Sequence, residues 1–152
     1  MDPKETLDYF VSHRDAMIDS ICEIVELESP SNDPARSAAV VGWIEDKFRA
    51  IPIDLAFEHI AAEGVGTHLV IRAFPGDSRP IMLLGHTDTV HAVGTKTKNP
   101  TRVEGDKLYG CGTFDMKANI ILIIEAFQYF AATGTKPKRP VTIELSCDEE
   151  VG

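Results

Sequence analysis

Apolar residues recur at helical spacing near the start of the chain, as Leu7, Phe10, Val11, Met17, Ile18, Ile21 and Val25. That spacing predicts one amphipathic helix from Thr6 to about Glu28. The stretch "SPSNDPAR" interrupts it, and Asp33 before Pro34 reads as an N-cap with proline at the first helical position. A second helix to about Ala50 then carries Val40, Ile44 and Phe48 on one face. The pattern next changes to alternation, with Ile53, Leu55 and Phe57 against Asp54 and Glu58, which predicts a half-buried strand. Beyond Gly64 and Gly66, "THLVIRAF" reads as its hairpin partner, closed off by "PGDSRP".

Ile81–Leu84 is apolar without alternation, the pattern of a strand covered on both faces. Residues 94–107 are polar and show no periodicity. A helix is expected from Asp115 to about Ala132, ended by Gly134 and Pro137. Its centre, "IILII", leaves no polar side and predicts burial nearly all round. The last strand runs from Val141 to Cys147, with Val141, Ile143 and Leu145 alternating against Thr142, Glu144 and Ser146. Strand, helix, strand in this order predicts a βαβ unit with parallel strands, hence an α/β fold.

Composition narrows the functional classes. The chain has 152 residues, 15 basic against 24 acidic, and a formal charge of −9 without a Lys/Arg cluster. A nucleic-acid partner is not expected. The amino-terminal "MDPKETLDYF" lacks the basic and apolar regions of a secretory signal. The longest aliphatic run, Ile120–Ile124, is far too short for a membrane span. Cys22, Cys111 and Cys147 are odd in number and lack C-x-x-C spacing, so a reducing cytoplasm is expected rather than a disulfide framework.

Open α/β sheets build their sites beyond the carboxyl ends of the strands. Three segments arrive there: "GHTDTV", "GCGTFDMK" and "DEEVG". His86 and Asp88, two apart on extended backbone, face the same way. One imidazole nitrogen is then free for a metal while Asp88 orients the ring. Taken alone, the pair is more simply a strand-end turn with an ordinary surface Asp. Asp115 by itself reads as a helix N-cap. The glycines beside it fit neither the dinucleotide fingerprint nor the P-loop. Asp148, Glu149 and Glu150 follow a buried strand without a polar spacer, and a divalent cation would compensate them. One imidazole with several carboxylates suits zinc, with manganese or cobalt as substitutes. His86, Asp115 and Glu150 are the expected ligands, leaving a carboxylate over as general base for metal-assisted hydrolysis.

"LLGHTDTV", "RVEGDKLYGCGTFDMK" and "DEEVG", in this order, resemble the dizinc peptidase and deacylase family of aminoacylase, acetylornithine deacetylase, succinyl-diaminopimelate desuccinylase and glutamate carboxypeptidase. "RVEGDKLYG" leans toward the glutamate carboxypeptidase branch. The resemblance implies a three-layer α/β/α zinc-peptidase fold with a mostly parallel twisted sheet. It implies that His86 binds one zinc, Asp88 orients it, Asp115 bridges two zincs, and Glu150 binds the second. Glu149 would be the general base toward a metal-bridging water, and Asp115–Met116 a cis peptide bond. The substrate would be a small peptide or N-acyl amino acid, and the whole protein a homodimer. On the family's pattern residues 1–152 are the front part of the catalytic domain. A dimerisation domain, the rest of the catalytic domain and one further acid and histidine ligand are then expected from elsewhere. Ala118 and Asn119 stand where many members have glycines.

Two other readings of these residues differ in class. One is a non-catalytic metal-binding or interaction protein, which has no need of Glu149. The other is a thiol hydrolase using Cys147 or Cys111 with His86, although a cysteine inside a strand is more simply a small apolar residue. His13, His59, His68 and His91 need no role, with His91 taken as a wall or surface residue and Trp43 as core.

Overall fold

The computed structural model describes residues 2–151. Met1 and the closing Gly152 of the "DEEVG" motif lie outside the described residues. The first helical region is two helices, α1 (Pro3–Ser12) and α2 (Arg14–Glu26), rather than one. The division falls at His13, where side chains crowd the Tyr9 carbonyl. Ser12 Oγ donates to that oxygen at 2.7 Å and His13 Nδ1 lies 2.8 Å from it, with the imidazole stacked on the Tyr9 ring. Side-chain bonds of this kind compete with the helical ladder. The helix α3 (Pro34–Arg49) opens as expected, with the Asp33 carboxylate accepting from Arg36 N at 3.1 Å.

The strands β1 (Leu55–Ala62), β2 (Gly66–Ala73) and β3 (Ile81–His86) follow. The stretch that shows no periodicity contains a small hairpin, β4 (Arg102–Glu104) with β5 (Lys107–Tyr109), turning at Glu104–Lys107. The long apolar helix α4 (Ala118–Thr133) precedes β6 (Val141–Ser146). Gly134 ends α4 with φ +63°, a left-handed position that suits glycine. Asp115 is therefore not an N-cap. The segment Thr113–Lys117 is a kinked turn ahead of α4, with Asp115 and Met116 in non-helical backbone.

The main sheet has the order β1-β2-β6-β3. The βαβ expectation holds, since β3 and β6 are parallel, with Leu83 opposite Ile143. Parallel pairing is confined to that pair, because β1–β2 and β2–β6 are antiparallel. Among the described residues the helices form one covering layer. Leu69, Ile71, Ile143 and Leu145 pack with Val40, Ile44 and Phe48 of α3 and Ile120, Ile121 and Ile124 of α4 in one core. Each such side chain, fully buried, contributes about 1.5–3 kcal/mol. Phe48 meets Phe127 edge to face at 5.5 Å inside it.

The opposite face of the sheet shows Met82, Leu84 and Glu144 exposed. This corrects the expectation that Ile81–Leu84 is covered on both faces: β3 is an edge strand whose outward side chains meet no second layer here. The helix α4 is also less enclosed than its sequence suggests, with Leu122 half exposed. Trp43 is only partly buried, at the margin of the core.

Candidate metal centre

The site lies beyond the carboxyl ends of the parallel pair β3 and β6, where their adjoining loops meet. His86, the last residue of β3, is buried, and Asp88 two residues on is 3% exposed. The loop that carries them is held by backbone and hydroxyl bonds. Thr87 N donates to Ser146 O at 2.8 Å, Ser29 Oγ to Thr87 O at 2.7 Å, and Thr89 N to Ser29 O at 2.9 Å. The "SPS" following α2 is thus a brace for the site, a role that its sequence alone does not announce.

Asp88 does two jobs. Its backbone oxygen and Oδ1 lie 3.1 and 3.3 Å from His86 Nδ1, fixing the ring. Its carboxylate also accepts from Glu149 N at 3.3 Å, Glu150 N at 3.1 Å and Ser31 Oγ at 2.5 Å. The short turn Glu149–Val151 is therefore hung from the same carboxylate that orients the imidazole.

With Nδ1 so engaged, His86 Nε2 points outward. It lies 2.9 Å from Asp115 Oδ1 and 4.0 Å from Glu149 Oε2. The Asp115–Met116 peptide beside it is cis, as the family resemblance implies. Behind it, Met116 Sδ sits 3.2 Å from His86 N, against Gly85. A Cβ on Gly85 would fall 2.9 Å from Met116 Cε, so the bare backbone there makes room for the methionine. Gly112, with φ +72°, serves the turn before Asp115, and a Cβ on it would fall 2.5 Å from Thr89 Cγ2.

His86, Glu149 and Glu150 each place a ligand atom within 4.8 Å of the others. Asp115 joins them through His86 rather than as a member of that group. Burial pulls the His86 imidazole down, but the hydrogen bond to Asp115 and the charges of Asp88 and Asp115 outweigh it and raise its pKa. Both ring nitrogens face acceptors, an arrangement that a proton on Nε2 or a bound cation satisfies. Among the described residues no Lys or Arg pairs with Asp88, Asp115, Glu149 or Glu150. An imidazole and clustered carboxylates without a basic partner fit a divalent cation of the zinc type.

Lys117 is a feature that the sequence reading passed over. It is 1% exposed, and its ammonium donates to Leu27 O at 2.5 Å, tying the turn after Asp115 to the end of α2. Burial, only partly offset by Cys111 and Glu28, lowers its pKa to about 8. A cavity of about 320 Å³ opens beside the acids, walled by Val90, His91 and Phe114 and reaching Asp115 and Glu150. His91 is a wall residue, as expected.

Fold and site together define an α/β protein with carboxylates gathered around a buried imidazole beyond the carboxyl ends of β3 and β6. Residues 82–152 match the sequence profile of Peptidase family M20/M25/M40. It is 28% identical over 137 residues to carboxypeptidase G2 of Pseudomonas sp. (strain RS-16), covering 90% of this chain and 33% of that protein. It is 31% identical over 127 residues to succinyl-diaminopimelate desuccinylase of Corynebacterium glutamicum, covering 83% and 31%. In fold it resembles human carnosine dipeptidase 1, with a TM-score of 0.81 and 19% identity over 98% of this chain and 35% of that one. The chain spans about a third of the length of the curated relatives it matches.

Proposed function

We propose that this chain carries the metal-binding edge of a zinc-dependent hydrolase that cleaves an amide bond in a small peptide or N-acyl amino acid. The observation that carries the reading is the convergence of His86, Asp115, Glu149 and Glu150 on one point, with Asp88 bracing them from behind. His86 and Glu150 would hold one zinc each and Asp115 would lie between the two. When bound, zinc supplies Lewis-acid polarisation of a scissile carbonyl and of water.

The chain's own residues do the rest. Asp88 holds the His86 ring so that Nε2 keeps its lone pair toward the site. Glu149 is 60% exposed, accepts no hydrogen bond from a basic side chain among the described residues, and is free to take a proton from the attacking water and return it to the departing amine. The products are a carboxylic acid and a free amine or amino acid. In the same reading the protein works as a homodimer in a reducing compartment, the cytoplasm, where its three free cysteines persist.

Zinc titration by calorimetry tests the centre. The number of zinc ions bound is expected to fall in His86→Ala and in Glu150→Ala, and a stoichiometry and affinity unchanged in both would sink the reading. Amine release from N-acyl amino acids then tests the chemistry: Glu149→Gln should keep zinc and lose about 10²–10⁴-fold in rate. Zinc binding without turnover at any amide would leave a metal-binding protein instead.

A further inference from the structure

A different group of donors lies on the other side of the acidic turn. His68 of β2 and Cys147 and Asp148 after β6 place ligand atoms within 4.8 Å of one another. We propose that His68 Nδ1, Cys147 Sγ and an Asp148 carboxylate oxygen form a separate binding site for one thiophilic divalent cation of the zinc type. The inference is independent of the catalytic reading, because none of the three belongs to the centre around His86.

The geometry is close to what such an ion needs. Cys147 Sγ lies 3.7 Å from His68 Nδ1, and Asp148 Oδ1 lies 3.9 Å from the same nitrogen. Metal–sulfur bonds of about 2.3 Å and metal–nitrogen or –oxygen bonds of about 2.0–2.2 Å put tetrahedral donors about 3.3–3.6 Å apart. The two distances from Nδ1 therefore need to close by only a few tenths of an ångström, while Sγ and the carboxylate lie within 4.8 Å of each other.

The tautomer agrees. Cys147 N donates to His68 Nδ1 at 3.3 Å, so Nδ1 is the unprotonated nitrogen and the other ring nitrogen carries the hydrogen. That is the form of imidazole that binds a metal, and the bond that sets it is long enough to yield to one. The donor types agree as well: thiol, imidazole and carboxylate together favour zinc over magnesium or calcium. Burial, and then the charges of Asp148 and Asp88, push the Cys147 thiol up, so the ion-free site holds its proton. A coordinating cation takes the thiolate and releases that proton to solvent. The fourth position falls to water, since Asp148 is partly exposed.

The site stands immediately before Glu149. An ion there would pin the acidic turn to β2 from one side, as Asp88 pins it from the other.

Cobalt titration of the whole chain decides the matter, because a cobalt–thiolate bond gives a near-ultraviolet charge-transfer band that oxygen and nitrogen ligands do not. The band is expected on the unmodified chain and in Cys22→Ser and Cys111→Ser. It should vanish in Cys147→Ser, and cobalt should bind there at least 10-fold more weakly in Asp148→Asn, a half-exposed position whose change leaves the core untouched. Far-ultraviolet circular dichroism reports whether each variant is folded. His86→Ala should leave the band and remove visible absorption from the other centre, so the two readings fail separately. No near-ultraviolet band at saturating cobalt, or a band that persists in Cys147→Ser, overturns the proposal.

Discussion

Glu125 offers the sharpest test of the packing described above. It sits on α4 at 5% exposure, and its Oε2 has no hydrogen-bond partner among the described residues. Burial raises its carboxyl pKa, with His13 and Lys47 pulling the other way, and its charge adds to burial in raising Tyr9. A buried polar group left without a partner costs about 1–3 kcal/mol, and an ionised one more. Glu125→Met keeps the length of the side chain and removes the orphaned oxygen. It should therefore stabilise the protein by about 1–3 kcal/mol at pH 7, a rise in Tm of about 2–12 °C for a domain of this size.

The sign with pH follows from linkage. The folded carboxyl has the higher pKa, so the native state binds more protons than the unfolded state between the two values. Its contribution to stability is whole below the ordinary carboxylate range and is lost as pH rises through the folded pKa. The advantage of Glu125→Met should thus be largest at pH 7 and shrink toward pH 4.5. Urea denaturation of both proteins at the two pH values measures this difference directly, since the other titrating groups are common to both. A variant less stable at pH 7, or one whose advantage is the same at both pH values, would refute the reasoning. Glu125→Gln, which stays polar, should gain less.

Ser31→Ala removes the hydroxyl that donates to Asp88, and zinc affinity by calorimetry should fall about 10–100-fold while the fold by circular dichroism is kept. Gly112→Ala sets a Cβ against Thr89 in a left-handed turn and should destabilise the protein by at least about 1 kcal/mol in urea. Phe48→Ala empties the centre of the core and should cost about 3–5 kcal/mol in the same assay.

The strongly periodic elements were legible in the sequence. The α3 start at Asp33–Pro34, the β1–β2 hairpin and the parallel β3–β6 pair all stand where the pattern places them. The pattern did not give the break at His13, which depends on side chains competing for the Tyr9 carbonyl. Nor did it give the exposure of Met82 and Leu84, because an apolar run does not say whether a layer lies on each side of it. The site was legible as a set of acids and one histidine at strand ends. What could not be read was the bracing. Ser29, Ser31 and Lys117 act across 57 to 90 positions of chain, and no local spacing signals such a partner. His68, set aside as needing no role, meets Cys147 only through the β2–β6 register.

The hanging of the acidic turn from Asp88 has a further consequence. The amide hydrogens of Glu149 and Glu150 are held by one buried carboxylate, so they open to solvent exchange together. Any cation that settles on their side chains must work against that opening, and its binding free energy reappears as slowed exchange at those two amides. The turn is in that sense a built-in reporter: occupancy on its solvent side can be followed from the backbone on its inner side.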